Sequence, residues 1–127
     1  TATRAPVLRG EWLRPGTHVD LVGGFTPEMR EADDEAIRRA RVFADTRRFT
    51  IGVCGDIDTP VRAGLLAEAD IADLFDLAQG RADGRRSADE ITLFKNGGGG
   101  HLDLMSARLA LSRHLEPHPA VRPGMRP

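Results

Sequence analysis

"ITLFKNGGGGHLDL", residues 91–104, joins an apolar run to a helix through four glycines. Ile91 to Phe94 are apolar without strict alternation, the pattern of a strand covered on both faces. From His101 to Leu115 the apolar residues fall at helical spacing. Leu102, Met105 and Leu109 form one stripe, and Leu104, Leu111 and Leu115 form another. A helix apolar over so much of its girth expects cover from more than one side. Glycines between such a strand and helix let the backbone come close to a phosphate or a cofactor ring, or serve only as a flexible connection.

Upstream the same alternation repeats. "THVDLVGG" (17–24) reads as a strand that ends in a glycine pair, with Pro15-Gly16 as the turn before it. "ADDEAIRRA" follows as a helix, with Asp33 at the N-cap, acids in the first turn and arginines near the end. "RVFADT" (41–46) is a second, buried-type strand. Residues 47–64 mix β-branched residues, glycines and a proline, and read as irregular. Residues 66–79 read as a helix capped by Gly80, with Ile71, Leu74, Phe75 and Ala78 on one core face. The order strand, helix, strand, irregular segment, helix, strand, helix predicts an α/β fold with a parallel sheet.

The chain of 127 residues allows one domain with a modest core. Its 18 basic and 19 acidic residues leave a net charge of −1, without the basic footprint of a nucleic-acid partner. No apolar run reaches the roughly 20 residues of a membrane span, and no leader is expected from the sequence as read. The lone cysteine, Cys54, excludes an internal disulfide and fits a cytoplasmic location. Its small apolar neighbours suggest a packed thiol. "LEPHPAVRPGMRP", with four prolines in thirteen residues, reads as a flexible tail.

In open parallel sheets, ligands bind beyond the carboxyl ends of the strands. "VGGFTPEMRE" follows the first strand, the Thr46 region the second and "KNGGGG" the third. Glycine clusters at two of these three places favour a shared cleft over two independent strand ends. Lys95 has the residue type either to meet an anion or, the better reading, to pair with an acid. His18, His101, His114 and His118 have no metal-ligand spacing, and no metal site is expected. His101, at a helix start, suits a cap or the surface better than a ligand. Asp56 and Asp58 in "GDIDTP" read as two solvated loop acids.

Taken together, "LRGEWLRPGTHVDLVGG", "RE-ADDEAIRRARVFADTR" and "DEITLFKNGGGG-LDL" resemble the C-terminal portion of the ornithine cyclodeaminase and mu-crystallin family, over about residues 1 to 112. The resemblance implies part of a Rossmann-type NAD(P)-binding domain over 1–95. It further implies a helix over 96–115 that returns toward a dimerisation domain, with 116–127 as the tail. It implies a homodimeric NAD(P)-dependent enzyme acting on a small amino acid or a cyclic imine, of which this chain would be an inactive fragment. The alternatives are a non-catalytic NAD(P)-binding protein and a cyclodeaminase of altered chemistry.

By the same resemblance Thr1, Ala2 and Thr3 would line the dinucleotide. Val22, Gly23, Lys95, Asn96 and Gly97 would lie toward its nicotinamide end, and Phe25 and Met29 toward the substrate. The cofactor would be NAD or NADP, because the residues that read the ribose would lie upstream. One departure bears on the chemistry. The family's cyclodeaminases carry a catalytic aspartate where this chain has Phe25, and a phenyl ring neither takes a proton nor pairs with an ammonium. Ketimine reduction or amino-acid dehydrogenation survives that change better than cyclodeamination, and the catalytic residues themselves are expected upstream.

Overall fold

The computed structural model describes residues 1–115, so the expected tail at 116–127 and His118 lie outside the described residues. Four strands form one sheet: β1 (His18–Leu21), β2 (Ala40–Ala44), β3 (Ala72–Asp73) and β4 (Ile91–Lys95). Their spatial order is β1-β4-β2-β3, and every pairing is parallel. The register sets Leu21 and Ala44 on either side of Lys95, so the carboxyl ends of three strands finish level. Five helices accompany the sheet: α1 (Asp34–Arg39), α2 (Arg47–Thr50), α3 (Gly55–Arg62), α4 (Leu74–Ala78) and α5 (Gly100–Leu115).

One face of the sheet carries the core. Val19, Leu21, Val42, Ala44 and Leu93 pack with Ala36 and Ile37 of α1, Ile57 of α3, and Ile71. The alternation of exposed and buried residues along β1 puts Val19 and Leu21 on this face. Asp33 caps α1 as expected, its side chain accepting from the Ala36 amide. The same carboxylate oxygen accepts from Gly10 N at 2.9 Å and so ties the amino-terminal segment to the helix. The opposite face is thinly covered. A groove of about 460 Å³ there is lined by His18, Phe43, Leu74, Leu77, Thr92 and Phe94 among others.

Two expectations need correction. Residues 47–64 are not irregular, because they hold α2 and α3. These helices have 4 and 8 residues, too short for a 3.6-residue period to show, and Gly52, Gly55 and Pro60 interrupt what pattern there is. Nor do residues 66–79 form one helix. Ile71 is fully buried, and Ala72 pairs with Phe43 as the short edge strand β3. Asp73 then starts α4 through a reciprocal capping box with Asp76. The supposed single core face is thereby split, and Phe75 is 60 % exposed. Gly80 does end the helix, with φ +67°. In α5 the apolar stripes face outward, from Leu104 and Met105 to Leu109, Leu111 and Leu115, without the cover the sequence suggests.

Candidate functional site

Level strand ends bring the two glycine segments to one place. The Asn96 amide donates to the carbonyl of Leu21 at 2.9 Å, which joins the start of the glycine run to the end of β1. Asn96 Oδ1 accepts from Gly98 N at 2.8 Å, so its side chain braces its own loop. Gly98 and Gly99 have positive φ, and this backbone favours glycine over any other residue. At Gly97 a Cβ would meet the carbonyl of Phe49 at 2.5 Å, which closes the loop against α2. Gly97, Gly98 and Gly99 are therefore structurally required in the turn, whereas Gly100 has open space around it. The His101 side chain lies outside the described part.

The elbow after β1 is packed as tightly. A Cβ at Gly23 would run into the backbone of Thr1 and meet Glu31 Oε1 at 2.9 Å. A Cβ at Gly24 would lie 2.6 Å from Asp56 Oδ2. The Thr1 segment thus lies directly against the elbow, with Thr1 and Ala2 exposed and Thr3 half-buried. The Thr3 carbonyl accepts from Arg30 N at 2.9 Å. Beyond the strand end Val22 and Phe25, on either side of the glycine pair, are 62 % and 58 % exposed. Met29 is half-buried, and its amide donates to the Thr26 carbonyl at 3.1 Å.

Lys95 is fully buried beneath this elbow. Its Nζ lies 3.1 Å from Glu31 Oε2 and 3.2 Å from Asp56 Oδ2. The expected ion pair is there, with two acids in place of one. Burial raises the Glu31 carboxyl, yet hydrogen bonds from the Thr1 hydroxyl and the Gly24 amide, together with Lys95, hold it below the usual glutamate range. Asp56 is not the solvated loop acid that its sequence context suggests. It is fully buried, and Oδ1 accepts from the amides of Glu31 and Ala32 at 2.7 and 3.1 Å. Asp58 is also buried, and pairs with Arg62 at 2.8 Å. Both lie in the first turn of α3, a helix too short and too interrupted to show in the sequence pattern.

Glu31 and Asp56 are the residues that sequence reasoning missed. Glu31 stands in the charged run "READDE", where nothing in spacing separates it from its neighbours. Cys54 is buried as expected, and burial pushes its thiol up, away from the reactive thiolate. Among the described residues no helix is long and apolar enough to cross a membrane, and no group of three His, Cys, Asp or Glu could hold a metal ion.

Residues 1–116 match the profile of the ornithine cyclodeaminase/mu-crystallin family. The chain is 53 % identical over 108 residues to a Delta(1)-pyrroline-2-carboxylate reductase from Paracoccus denitrificans, covering 84 % of this chain and 34 % of the relative. Its fold superposes with a TM-score of 0.80 and 37 % identity on the Thermococcus litoralis Delta(1)-pyrroline-2-carboxylate reductase in complex with NADH and L-proline, covering 91 % of this chain and 36 % of that one. It also superposes with a TM-score of 0.75 and 31 % identity on an archaeal alanine dehydrogenase dimer with bound NAD, covering 91 % and 37 %. The chain thus spans about a third of the length of the proteins it matches.

Proposed function

This chain belongs to the ornithine cyclodeaminase/mu-crystallin family, and from that premise we propose that it supplies the nicotinamide end of an NAD(P) site and one wall of a substrate pocket. The reaction is hydride transfer between the dinucleotide and a small cyclic imine or amino acid. The observation that carries the reading is that exposed Val22 and Phe25 flank the Gly23-Gly24 elbow, against which the Thr1 segment packs, while the Asn96 amide bonds to Leu21 at the same strand end. Apolar side chains flanked by polar backbone suit one planar, amide-bearing ring. The relatives bound to NADH or NAD support the choice of cofactor.

The residues present fit that end of the cofactor alone. The glycine elbow lets the Thr1 segment, Glu31 and Asp56 pack closely against the strand end, whereas no Gly-x-Gly-x-x-Gly phosphate cradle occurs in the sequence. When bound, the dinucleotide supplies the hydride. Thr1, Ala2 and Thr3 would line one side of it, and Val22, Gly23, Asn96 and Gly97 the other. Lys95, being buried, acts from beneath the elbow rather than by contact. Phe25 excludes water from the reacting carbon and leaves proton transfer to residues beyond this chain. Residues 1–95 belong to the cofactor domain, and α5 leads toward a dimerisation domain shared by two subunits.

The test is oxidation of NADH or NADPH by the full-length protein with a cyclic ketimine acid as substrate. Turnover with the imine and none with ornithine is the expected result. A second reading, a dinucleotide-binding protein without chemistry, is favoured by Phe25 standing where a proton-transferring carboxylate would be needed. It predicts saturable cofactor binding with no turnover of imine or amino acid.

A further inference from the structure

We propose that Glu31 is a positioning residue that fixes the spacing between the two walls of the cleft, the Thr1 segment and the Gly23-Gly24 elbow. The inference deepens the functional reading above and rests on it. Each carboxylate oxygen serves a different wall. Oε1 accepts from the Thr1 hydroxyl at 2.7 Å, and Oε2 accepts from the Gly24 amide at 3.0 Å. Lys95 Nζ reaches Oε2 from below at 3.1 Å and keeps the carboxylate ionised and oriented. The main chain beneath Glu31 is fixed as well, because Asp56 Oδ1 accepts from the amides of Glu31 and Ala32.

Neither wall can shift without breaking a charge-assisted hydrogen bond, which is stronger than a neutral one. Gly23 leaves no slack either, since a Cβ there would overlap the Thr1 backbone and come within 2.9 Å of Glu31 Oε1. Phe25 is the next residue after Gly24, so its main chain starts from the point that this carboxylate holds. Misplacing a binding wall by about 1 Å is enough to cost on the order of a hundredfold in rate. Glu31 therefore acts on the cofactor and the substrate wall through the backbone, without touching either.

The experiment uses the full-length protein and compares Glu31→Gln with Asp76→Asn. Asp76 is also a buried carboxylate with two arginine partners, Arg47 and Arg81, but it lies away from the elbow. Dissociation of NADH is followed by fluorescence, and exchange of the Gly24 amide by hydrogen-exchange NMR. Glu31→Gln is expected to weaken NADH binding about tenfold, to raise the cofactor KM more than it lowers kcat, and to speed Gly24 exchange. Asp76→Asn lowers the melting temperature and leaves the other readouts unchanged. Should Glu31→Gln not fold, Glu31→Asp keeps the charge beside Lys95 while shortening the reach, and the same shifts are expected. Folded Glu31 variants with wild-type NADH affinity and Gly24 exchange would overturn the positioning role alone. A wild-type protein that binds no dinucleotide overturns the functional reading and this role with it.

Discussion

Lys95 is the residue on which most of the local order converges. It is fully buried between Glu31 and Asp56, so removing its charge leaves two carboxylates facing each other out of reach of water. Lys95→Met is expected to destabilise the fold by about 3–5 kcal/mol, the cost of breaking a buried pair from one side. Urea unfolding measures it, and a loss under 1 kcal/mol would mean that water reaches the cluster. Acid acts on the same group from the other partner. The Glu31 carboxyl is held below its ordinary range, so its stabilising contribution is complete above about pH 4.3 and is lost as pH falls through the depressed value. The urea midpoint should therefore drop on acidification below pH 4, and Glu31→Gln should flatten that drop. An equally steep drop in the variant would assign the acid sensitivity to other carboxylates, such as Asp76 or Glu90, which are depressed by their arginine partners and backbone hydrogen bonds.

At the scale of elements, α3 shows what a short helix does for the cleft. Gly55 starts it, and a Cβ there would come within 2.5 Å of the Met29 carbonyl and closer still to that of Pro27. Gly55→Ala should push α3 off the Pro27–Met29 loop and lower stability by about 1–3 kcal/mol. Because α3 also carries Asp56 and Ile57, faster exchange of the Glu31 and Ala32 amides should accompany the loss. An unchanged melting curve would show that the loop yields freely. The same element explains why the sequence was legible in part. Strands β1, β2 and β4 and helix α1 announce themselves through apolar runs, Pro15-Gly16 and the Asp33 cap. So does the meeting of the two glycine segments, since it follows from parallel strands ending level. In α3, an N-cap position held by Cys54 with no side-chain cap, a glycine start and an internal Pro60 hide the helix, and with it the burial of Asp56. Residues 66–79 misled for the opposite reason. Their apolar spacing is helical, but tertiary pairing with Phe43 takes Ala72 into the sheet.

At the scale of the whole molecule, apolar surface is left over. A parallel sheet is normally covered on both faces, yet a groove lies over one face between Phe94, Leu74 and Leu77, and Phe75 of the same helix is exposed. Helix α5 exposes Leu104, Met105, Leu109, Leu111 and Leu115 together. The 127-residue chain by itself is expected to self-associate and to melt broadly, at a temperature that rises with concentration. Sedimentation and calorimetry at several concentrations check this, and a sharp, concentration-independent transition from a monomer would contradict it. The strand order has a consequence for how the protein is made. β4 is last in sequence but lies between β1 and β2, which do not pair with each other. Thr92 must find His18, 74 residues earlier. On the ribosome, therefore, β2 and β3 have each other to pair with, but the edges of β1 and β2 that take β4 stay unfilled until residues 91–95 leave the exit tunnel.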